Sequence, residues 1–337
     1  MDIKSAIAQL IARRDLGEAD MEAVVRDIMG GHATPAQIGA FLVALTMKGE
    51  QVDELAGAAR AMRRYATRVP SQRDVVDTCG TGGDRCNTFN ISTAAAFIAA
   101  GAGLVIAKHG NRAMSGAVGG ADVLEALGVR IDLEAEQVAA CLVEVGMGFL
   151  FAQRFHPAMR HVAAPRREIG VRTIFNRLGP LTHPAGARAQ LLGVFAHEWV
   201  EPLAHALGRL GSRRAMVVHG DDGLDELSLT GPSLVAELQD GAVHTYRFDP
   251  TAVGLRRCEP GDLAGGDVDR NAQIIRDILD GRATAAQTDI AVLNAAAVLY
   301  VGGRADGIAA GLHVARAAVD NGAAAGKLEA LVELTNR

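Results

Sequence analysis

Lysine is scarce in this sequence: Lys4, Lys48, Lys108 and Lys327 are all of it, so most of the 34 basic residues are arginines. Acidic residues number 39, and the formal net charge of −5 leaves no general positive field with which to capture DNA or RNA. Any anion site must be built locally from a few residues. Cysteine is rare too. Cys79, Cys86, Cys141 and Cys258 show no C-x-x-C pairing, which argues against structural zinc and against a disulfide framework. No apolar run reaches the ~18 residues of a membrane span, and the opening MDIKSAIAQLIARRD lacks a secretory apolar region and cleavage site. A cytoplasmic protein with no membrane partner is the expectation. Proline, at 10 residues, is too sparse for a low-complexity linker.

What is present is a chain of 337 residues, 49% apolar, long enough for about two domains at roughly 100 to 200 residues each. Glycine stands at 39, well above the usual ~7%, without the G-X-Y period of collagen. Between Cys79 and Gly120 there are nine glycines, against about five for an even spread, as a surface of exposed backbone donors would require.

Residues 1 to 68 read as four short helices. Ile3, Ile7, Leu10 and Ile11 share one helical face, as do Met21, Val24, Val25 and Ile28, and then Ile38, Phe41, Leu42 and Leu45. Thr34 followed by Pro35 is a cap with the permitted first-turn proline, Gly30 and Gly31 close one helix, and Gly49 closes the next. From Asp74 the texture changes to short β-type runs alternating with helical patterns. The runs are DVVDT, LVIAKHG, MGFLFA, QLLGVF and AMVVHG, with helices expected near 91 to 100, from 121, from 134, near 157 to 169 and near 200 to 210. That order implies a parallel α/β sheet with right-handed crossovers, whose ligands sit beyond the carboxyl ends of the strands.

The segments that follow the strands carry the chemistry. After DVVDT come Cys79-Gly80-Thr81-Gly82-Gly83-Asp84 and then Asn90-Ile91-Ser92-Thr93 opening a helix. Such a loop can turn backbone N–H groups inward and forms an anion cradle with a helix start, though alone it reads equally as a glycine turn capped by Ser92 or Thr93. After LVIA comes Lys108-His109-Gly110-Asn111-Arg112, bringing two cations to the same edge. His109 reads equally as a core histidine satisfied by a carbonyl, and Arg112 as a partner for a carboxylate. Next comes a second glycine loop, Ser115-Gly116-Ala117-Val118-Gly119-Gly120-Ala121-Asp122. After AMVVHG comes Asp221-Asp222-Gly223-Leu224-Asp225-Glu226-Leu227-Ser228, either an exposed acidic turn or a place where magnesium meets substrate phosphate. A Rossmann fingerprint would need glycine where Arg85 stands, and Gly326-Lys327 lacks the spacing and the hydroxyl of a P-loop.

Taken in order, GTGGD (80 to 84), NTFNIST (87 to 93), KHGNR (108 to 112), ADVLEALG (121 to 128), HPAMRHVAAPRREIGVRTIFNRLGPLTHPA (156 to 185) and DGLDELS (222 to 228) resemble the anthranilate phosphoribosyltransferase family over nearly the whole chain. The resemblance implies a nucleoside phosphorylase/phosphoribosyltransferase-like fold: a small N-terminal helical domain, 1 to 70, hinged to a large mostly parallel α/β domain, 71 to 337. A helical segment near 157 to 185 would join the small domain. It implies transfer of the ribosyl phosphate of phosphoribosyl pyrophosphate to anthranilate in tryptophan biosynthesis, with two magnesium ions and usually a homodimer. By position, Gly80, Gly82, Gly83, Asp84, Thr88, Asn90, Ser92, Thr93, Lys108 and Gly120 would hold phosphoribosyl pyrophosphate. Ser92, Asp225 and Glu226 would hold magnesium. Gly80, His109, Asn111, His156, Arg166 and Pro180 would surround anthranilate, with Arg166 rather than Arg167 meeting its carboxylate. The chain departs from the family at Ala117, Val118 and Gly120, which replace a lysine and two serines; each lost hydroxyl costs roughly 0.5 to 1.5 kcal/mol of phosphate binding. Two other readings share the fold: a pyrimidine nucleoside phosphorylase, which GAVGGAD slightly favours, and a non-catalytic nucleic-acid-binding relative, which the acidic charge disfavours.

Overall fold

The computed structural model describes residues 1 to 113 and 118 to 337. Four helices open the chain: α1 (Ile3–Ile11), α2 (Glu18–Met29), α3 (Pro35–Lys48) and α4 (Val52–Tyr65). Their ends are chemically marked as the sequence leads one to expect. Asp2 caps α1 by accepting from the amides of Lys4 and Ser5, and Thr34 and Gln37 form a reciprocal capping box ahead of Pro35. Gly57 lets α4 lie against α2, because a Cβ there would enter the Glu18 carbonyl.

The α/β region then follows as β1 (Val76–Gly80), α5 (Ile91–Gly101), β2 (Ile106–Gly110), α6 (Gly120–Ala126), α7 (Ala135–Glu144) and β3 (Met147–Phe151). A helical stretch comes next, with α8 (Ala152–Phe155), α9 (Arg160–Ile169) and α10 (Phe175–Leu178), and then β4 (Ala189–Gly193), α11 (Val200–Arg209) and β5 (Arg214–Gly220). The chain finishes with β6 (Ser233–Gln239), β7 (Ala242–Phe248), α12 (Val268–Leu279), α13 (Ala285–Val301), α14 (Ile308–Asp320) and α15 (Ala323–Thr335). The sheet order is β3-β2-β1-β4-β5-β6-β7, with β1 to β5 parallel and β6 and β7 antiparallel. The β6–β7 hairpin extends the sheet expected from the strand-like runs, and its outer strand is exposed along most of its length.

Alternate residues of the strands serve two cores, as strand pleating requires. Leu191, Met216, Val218 and Val235 join α5 to α7 and α12 to α15, whereas Leu192, Val217, Ala236 and Leu238 join α1 to α4 and α9 to α11. The opening helices therefore share a core with one face of the sheet. On the other face α5 is buried nearly all round, and its alanines allow neighbouring helices to approach closely: a Cβ on Gly101 would lie 2.7 Å from the Ala324 nitrogen. This divides the glycine excess. Gly101 belongs to helix packing and Gly103 to a left-handed turn, so only part of the enrichment between residues 79 and 120 is backbone-donor surface.

The crossover order reverses at β1. From β1 the chain goes to β2 on one side, and β4 returns to pair with β1 on the other. This opens a crevice at the carboxyl ends of β1 and β4, the position where open α/β sheets bind ligands.

Candidate active site

The ends of β1 and β4 are both glycines, and both are shaped around Asp225. A Cβ on Gly193 would overlap the Asp225 carbonyl, and one on Gly80 would collide with its carboxylate. Beyond Gly80 the loop is pinned by Thr81 N to Gly193 O at 2.9 Å, by Gly82 N to Asp225 Oδ2 at 2.9 Å, and by Phe195 N to Thr81 Oγ1 at 3.1 Å. Gly82 and Gly83 take φ of 65° and 81°, which glycine adopts without strain. Asp84 stays half-buried beside them, and Thr88 forms an isolated bridge with Ala264.

The rare lysine sits at the centre. Lys108 is 3% exposed, and its Nζ donates to Thr78 O at 2.7 Å and to Ser92 Oγ at 3.1 Å, leaving a third N–H beyond those two described partners. Ser92 N in turn donates to Glu226 Oε1 at 3.1 Å. Thr93 Oγ1 is buried with no partner among the described residues, close to where a Gly120 side chain would begin. A Cβ on Gly120 would stand 3.8 Å from that oxygen and 3.9 Å from Lys108 Cε, so space for a larger residue exists there. Asn90 is otherwise engaged: its amide donates to Val118 O at 3.1 Å and accepts from Asn271 at 3.2 Å, tying the cradle helix to the second glycine loop and to α12. Ala117 lies outside the described residues.

The acidic segment splits into two pairs with different work. Asp222 accepts from Ser228 Oγ at 2.6 Å, from Thr230 Oγ1 and from Leu224 N, and Asp221 pairs with Arg247, so this pair builds the turn. Asp225 and Glu226 face the cradle. Removal from water pushes Glu226 up to about 7, with Lys108 opposing and Asp84 reinforcing the shift. Desolvation, then Asp84 and Glu226, raise Asp225 well above the usual carboxylate range. Among the described residues no three His, Cys, Asp or Glu side chains form a closed metal cage. Magnesium does not need one, since it takes one or two carboxylates with substrate oxygens and water. Hard carboxylate oxygens whose protons a divalent cation can displace fit that ion.

On the neighbouring edge three histidines cluster. His109 and His156 approach Nε2 to Nε2 at 3.2 Å, and His183 stands edge-on to His109 at 5.8 Å between centroids. His183 donates from Nε2 to Ala107 O at 2.7 Å and accepts at Nδ1 from the amides of Ala185 and Ala187, which fixes it as a neutral ring. Burial drives His109 well below its ordinary value, helped by the other two rings, and takes His156 down to about 4. The Gly179 carbonyl beside His109 opposes part of that depression.

Asn111 is half-buried, its Oδ1 accepting from Arg112 N at 2.8 Å and Gln153 Nε2 at 3.3 Å. Arg112 does not reach the cradle: it pairs with Glu125 and Asp122, the structural alternative, so Lys108 is the cation of the cradle. Arg166 ends α9 half-buried, 5.4 Å over the Phe175 ring, desolvation lowering its pKa and no described carboxylate paired with it. Arg167 beside it is exposed. Pro180 is buried, and its carbonyl accepts from Gln190 Nε2 at 3.1 Å.

A family model described as the glycosyl transferase family, a/b domain, matches residues 72 to 325, and one described as its helical bundle domain matches residues 4 to 66. The anthranilate phosphoribosyltransferase of Syntrophobacter fumaroxidans is 55% identical over 335 residues, covering 99% of this chain and 99% of its own. That of Rubrobacter xylanophilus is 52% identical over 335 residues, covering 99% and 98%. The chain belongs to the anthranilate phosphoribosyltransferase family.

Solved structures of that family agree. The Thermus thermophilus anthranilate phosphoribosyltransferase superposes with a TM-score of 0.93 at 44% identity, over 98% of this chain and 99% of that one. The Saccharomyces cerevisiae enzyme in complex with PRPP and Mg gives 0.90 at 27% identity, over 99% and 98%. These relatives carry the transferase name, which favours it over the phosphorylase and the nucleic-acid-binding alternatives.

Several residues that support this crevice escaped sequence reasoning. Asp77, fully buried on β1, accepts from His109 N at 3.1 Å and from Gln190 Nε2 at 3.0 Å, fastening β2 and β4 to the same carboxylate. Asn294 on α13 donates to Leu227 O and accepts from Leu227 N, fixing the strand of chain just after Glu226. Asp77 stands inside DVVDT, where a polar residue amid β-type valines was the one available signal.

The raised carboxyl predicts a pH effect on stability. Glu226 stays protonated to about pH 7 when folded, against 4.5 for the ordinary group, so the folded protein binds more protons in that window and loses stability as pH rises through it. The depressed histidines act in the opposite sense below 6.5, so the comparison must be with a variant. In divalent-free buffer Glu226→Gln is expected to gain stability relative to the wild type between pH 4.5 and 7 in urea titrations. A wild-type-to-variant difference that stays constant across that range contradicts the assignment.

Proposed function

We propose that the chain transfers the 5-phosphoribosyl group of phosphoribosyl pyrophosphate to the amino group of anthranilate, releasing pyrophosphate, as a step of tryptophan biosynthesis. The observation that carries this reading is the pairing of a glycine cradle around Lys108 with Asp225 and Glu226, whose acidity is suppressed by burial and mutual charge. Gly80, Gly82, Gly83, Asp84, Thr88, Asn90, Ser92, Thr93, Lys108 and Gly120 would receive phosphoribosyl pyrophosphate. Among the described residues the third N–H of Lys108 and the Thr93 hydroxyl have no partner, and both are donors suited to phosphate oxygens.

Ser92, Asp225 and Glu226 would hold two magnesium ions. When bound, magnesium supplies charge neutralisation for the leaving pyrophosphate. The protein's own contribution is placement. Reaction at the ribosyl C1 develops positive charge, so no nucleophilic side chain is required and neutral surroundings are favourable. His109 and His156, held neutral by burial, add no positive charge there. Arg166 has a planar fork without a described carboxylate partner, suited to the anthranilate carboxylate, where each charged hydrogen bond is worth roughly 1.5 to 3 kcal/mol. Gly80, Asn111 and Pro180 would complete that pocket.

The division into a helical domain, residues 1 to 70, and an α/β domain, 71 to 337, belongs to the same proposal, as does a cytoplasmic setting without nucleic acid. No described helix is long and apolar enough to cross a membrane. A homodimer through the helical domain is supported by Ile11 and Met47, exposed by 70% and 64%, on the packed pair α1 and α3.

Purified protein given phosphoribosyl pyrophosphate and magnesium should consume anthranilate fluorescence, and should not split thymidine with phosphate. No consumption under those conditions refutes the activity. Arg166→Ala should raise the anthranilate KM by about tenfold or more, as expected for losing at least one charge-assisted contact, and change the phosphoribosyl pyrophosphate KM far less. Equal changes would remove the assigned role. For the dimer, light scattering should give twice the chain mass, falling to one chain in Met47→Glu; a monomeric wild type excludes it.

A further inference from the structure

Left-handed backbone in the phosphate loop extends beyond its glycines. Besides Gly82 and Gly83, Arg85 and Asn87 have φ of 64° and 53°, the left-handed region that side chains disfavour. Such a loop keeps its shape only if its surroundings hold it. One holder comes from outside the cradle: Arg172 donates from Nη2 to Gly83 O at 2.6 Å. Its guanidinium lies 4.1 Å over the Phe195 ring, whose own amide bonds Thr81 Oγ1. Thus one side chain and one adjoining amide grip the loop at Thr81 and Gly83.

The grip continues into the opening helices. Arg177 is buried 5.8 Å from the Phe195 ring centre and 3.8 Å from that of Trp199. It pairs with Glu50 at 2.9 Å, and Glu50, also buried, sits in the turn between α3 and α4. Two arginines and two aromatic rings therefore connect the helical region to a carbonyl of the phosphate loop. A buried ion pair fixes geometry well, because moving either partner leaves a charge uncompensated. Planar stacking suits arginine and not lysine.

We propose that Arg172 is a positioning residue for phosphoribosyl pyrophosphate, acting through Gly83, and that Phe195, Arg177 and Glu50 hold it so that the seating of the helical region sets the phosphate loop. The inference rests on the proposed substrate. Arg172 contacts the loop through the Gly83 carbonyl, so its loss should weaken binding of one substrate selectively.

The test compares wild type with Arg172→Met, Phe195→Leu and the charge-removing pair Glu50→Gln/Arg177→Met. Arg172→Met should raise the phosphoribosyl pyrophosphate KM about tenfold, with the anthranilate KM within twofold, and Phe195→Leu and the pair should shift the same constant by a smaller factor. Amides 81 to 84 should exchange hydrogen faster in Arg172→Met, a readout that needs no activity. Equal shifts in both KM values, or unchanged exchange at 81 to 84, would overturn the proposal. So would a phosphoribosyl pyrophosphate effect confined to Arg172→Met, which would make that arginine a direct ligand. A wild type inactive on these substrates fails the functional reading, whereas an active wild type with unaffected variants fails this inference alone.

Discussion

The arrangement depends on one crowded contact: the Asp225-Glu226 pair pressed against the glycine ends of β1 and β4. The Asp225 carbonyl occupies the space of a Gly193 side chain, and its carboxylate occupies that of a Gly80 side chain. This close approach brings two acids from β5's far loop to a cradle made by β1 and α5. It also leaves them poorly hydrated, with Lys108 as the cation nearest Glu226 in effect. A site with this imbalance suits a divalent cation and a polyanion together, as the proposed function requires. The proposed function thus asks for no basic surface on a slightly acidic protein, because Lys108 supplies a local positive charge.

Around that contact several buried polar groups serve as scaffolding. Asp77 and Gln190 join β1, β2 and β4 below the site, and Gln190 also reaches Pro180 O and Cys79 Sγ. Three neutral histidines fill the adjoining wall. Buried groups of this kind contribute orientation more than stability, since each costs desolvation and repays it only when every partner is present. The sheet and helices position the site, and this network sets its side chains.

Much of the fold was legible because local signals agreed with one another. The Thr34-Pro35 cap marked a helix start, and the three apolar stripes and the strand-like runs each carried their own period. The β6–β7 hairpin and the last four helices were less legible: α13 is buried on every side, so it has no polar stripe to announce its face. In the site, Lys108 was visible through rarity and Asp225 and Glu226 through adjacency. What stayed hidden was how the charges pair. Arg112 looked like Lys108's companion and is held instead by Glu125 and Asp122, while Asp221 and Asp222 serve the turn. Glu50 and Arg177 are 127 positions apart, and no local pattern links them.

On the proposed function, the carboxylate pair carries surplus protons until magnesium and phosphoribosyl pyrophosphate arrive together. Calorimetric titration of the protein with phosphoribosyl pyrophosphate at saturating magnesium, near pH 7 in two buffers of different ionisation enthalpy, tests it directly. Proton release on binding that disappears in Glu226→Gln, with binding strongly weakened when magnesium is withheld, is the predicted result. Equal affinity with and without the divalent cation, and no proton exchange attributable to Glu226, would contradict it.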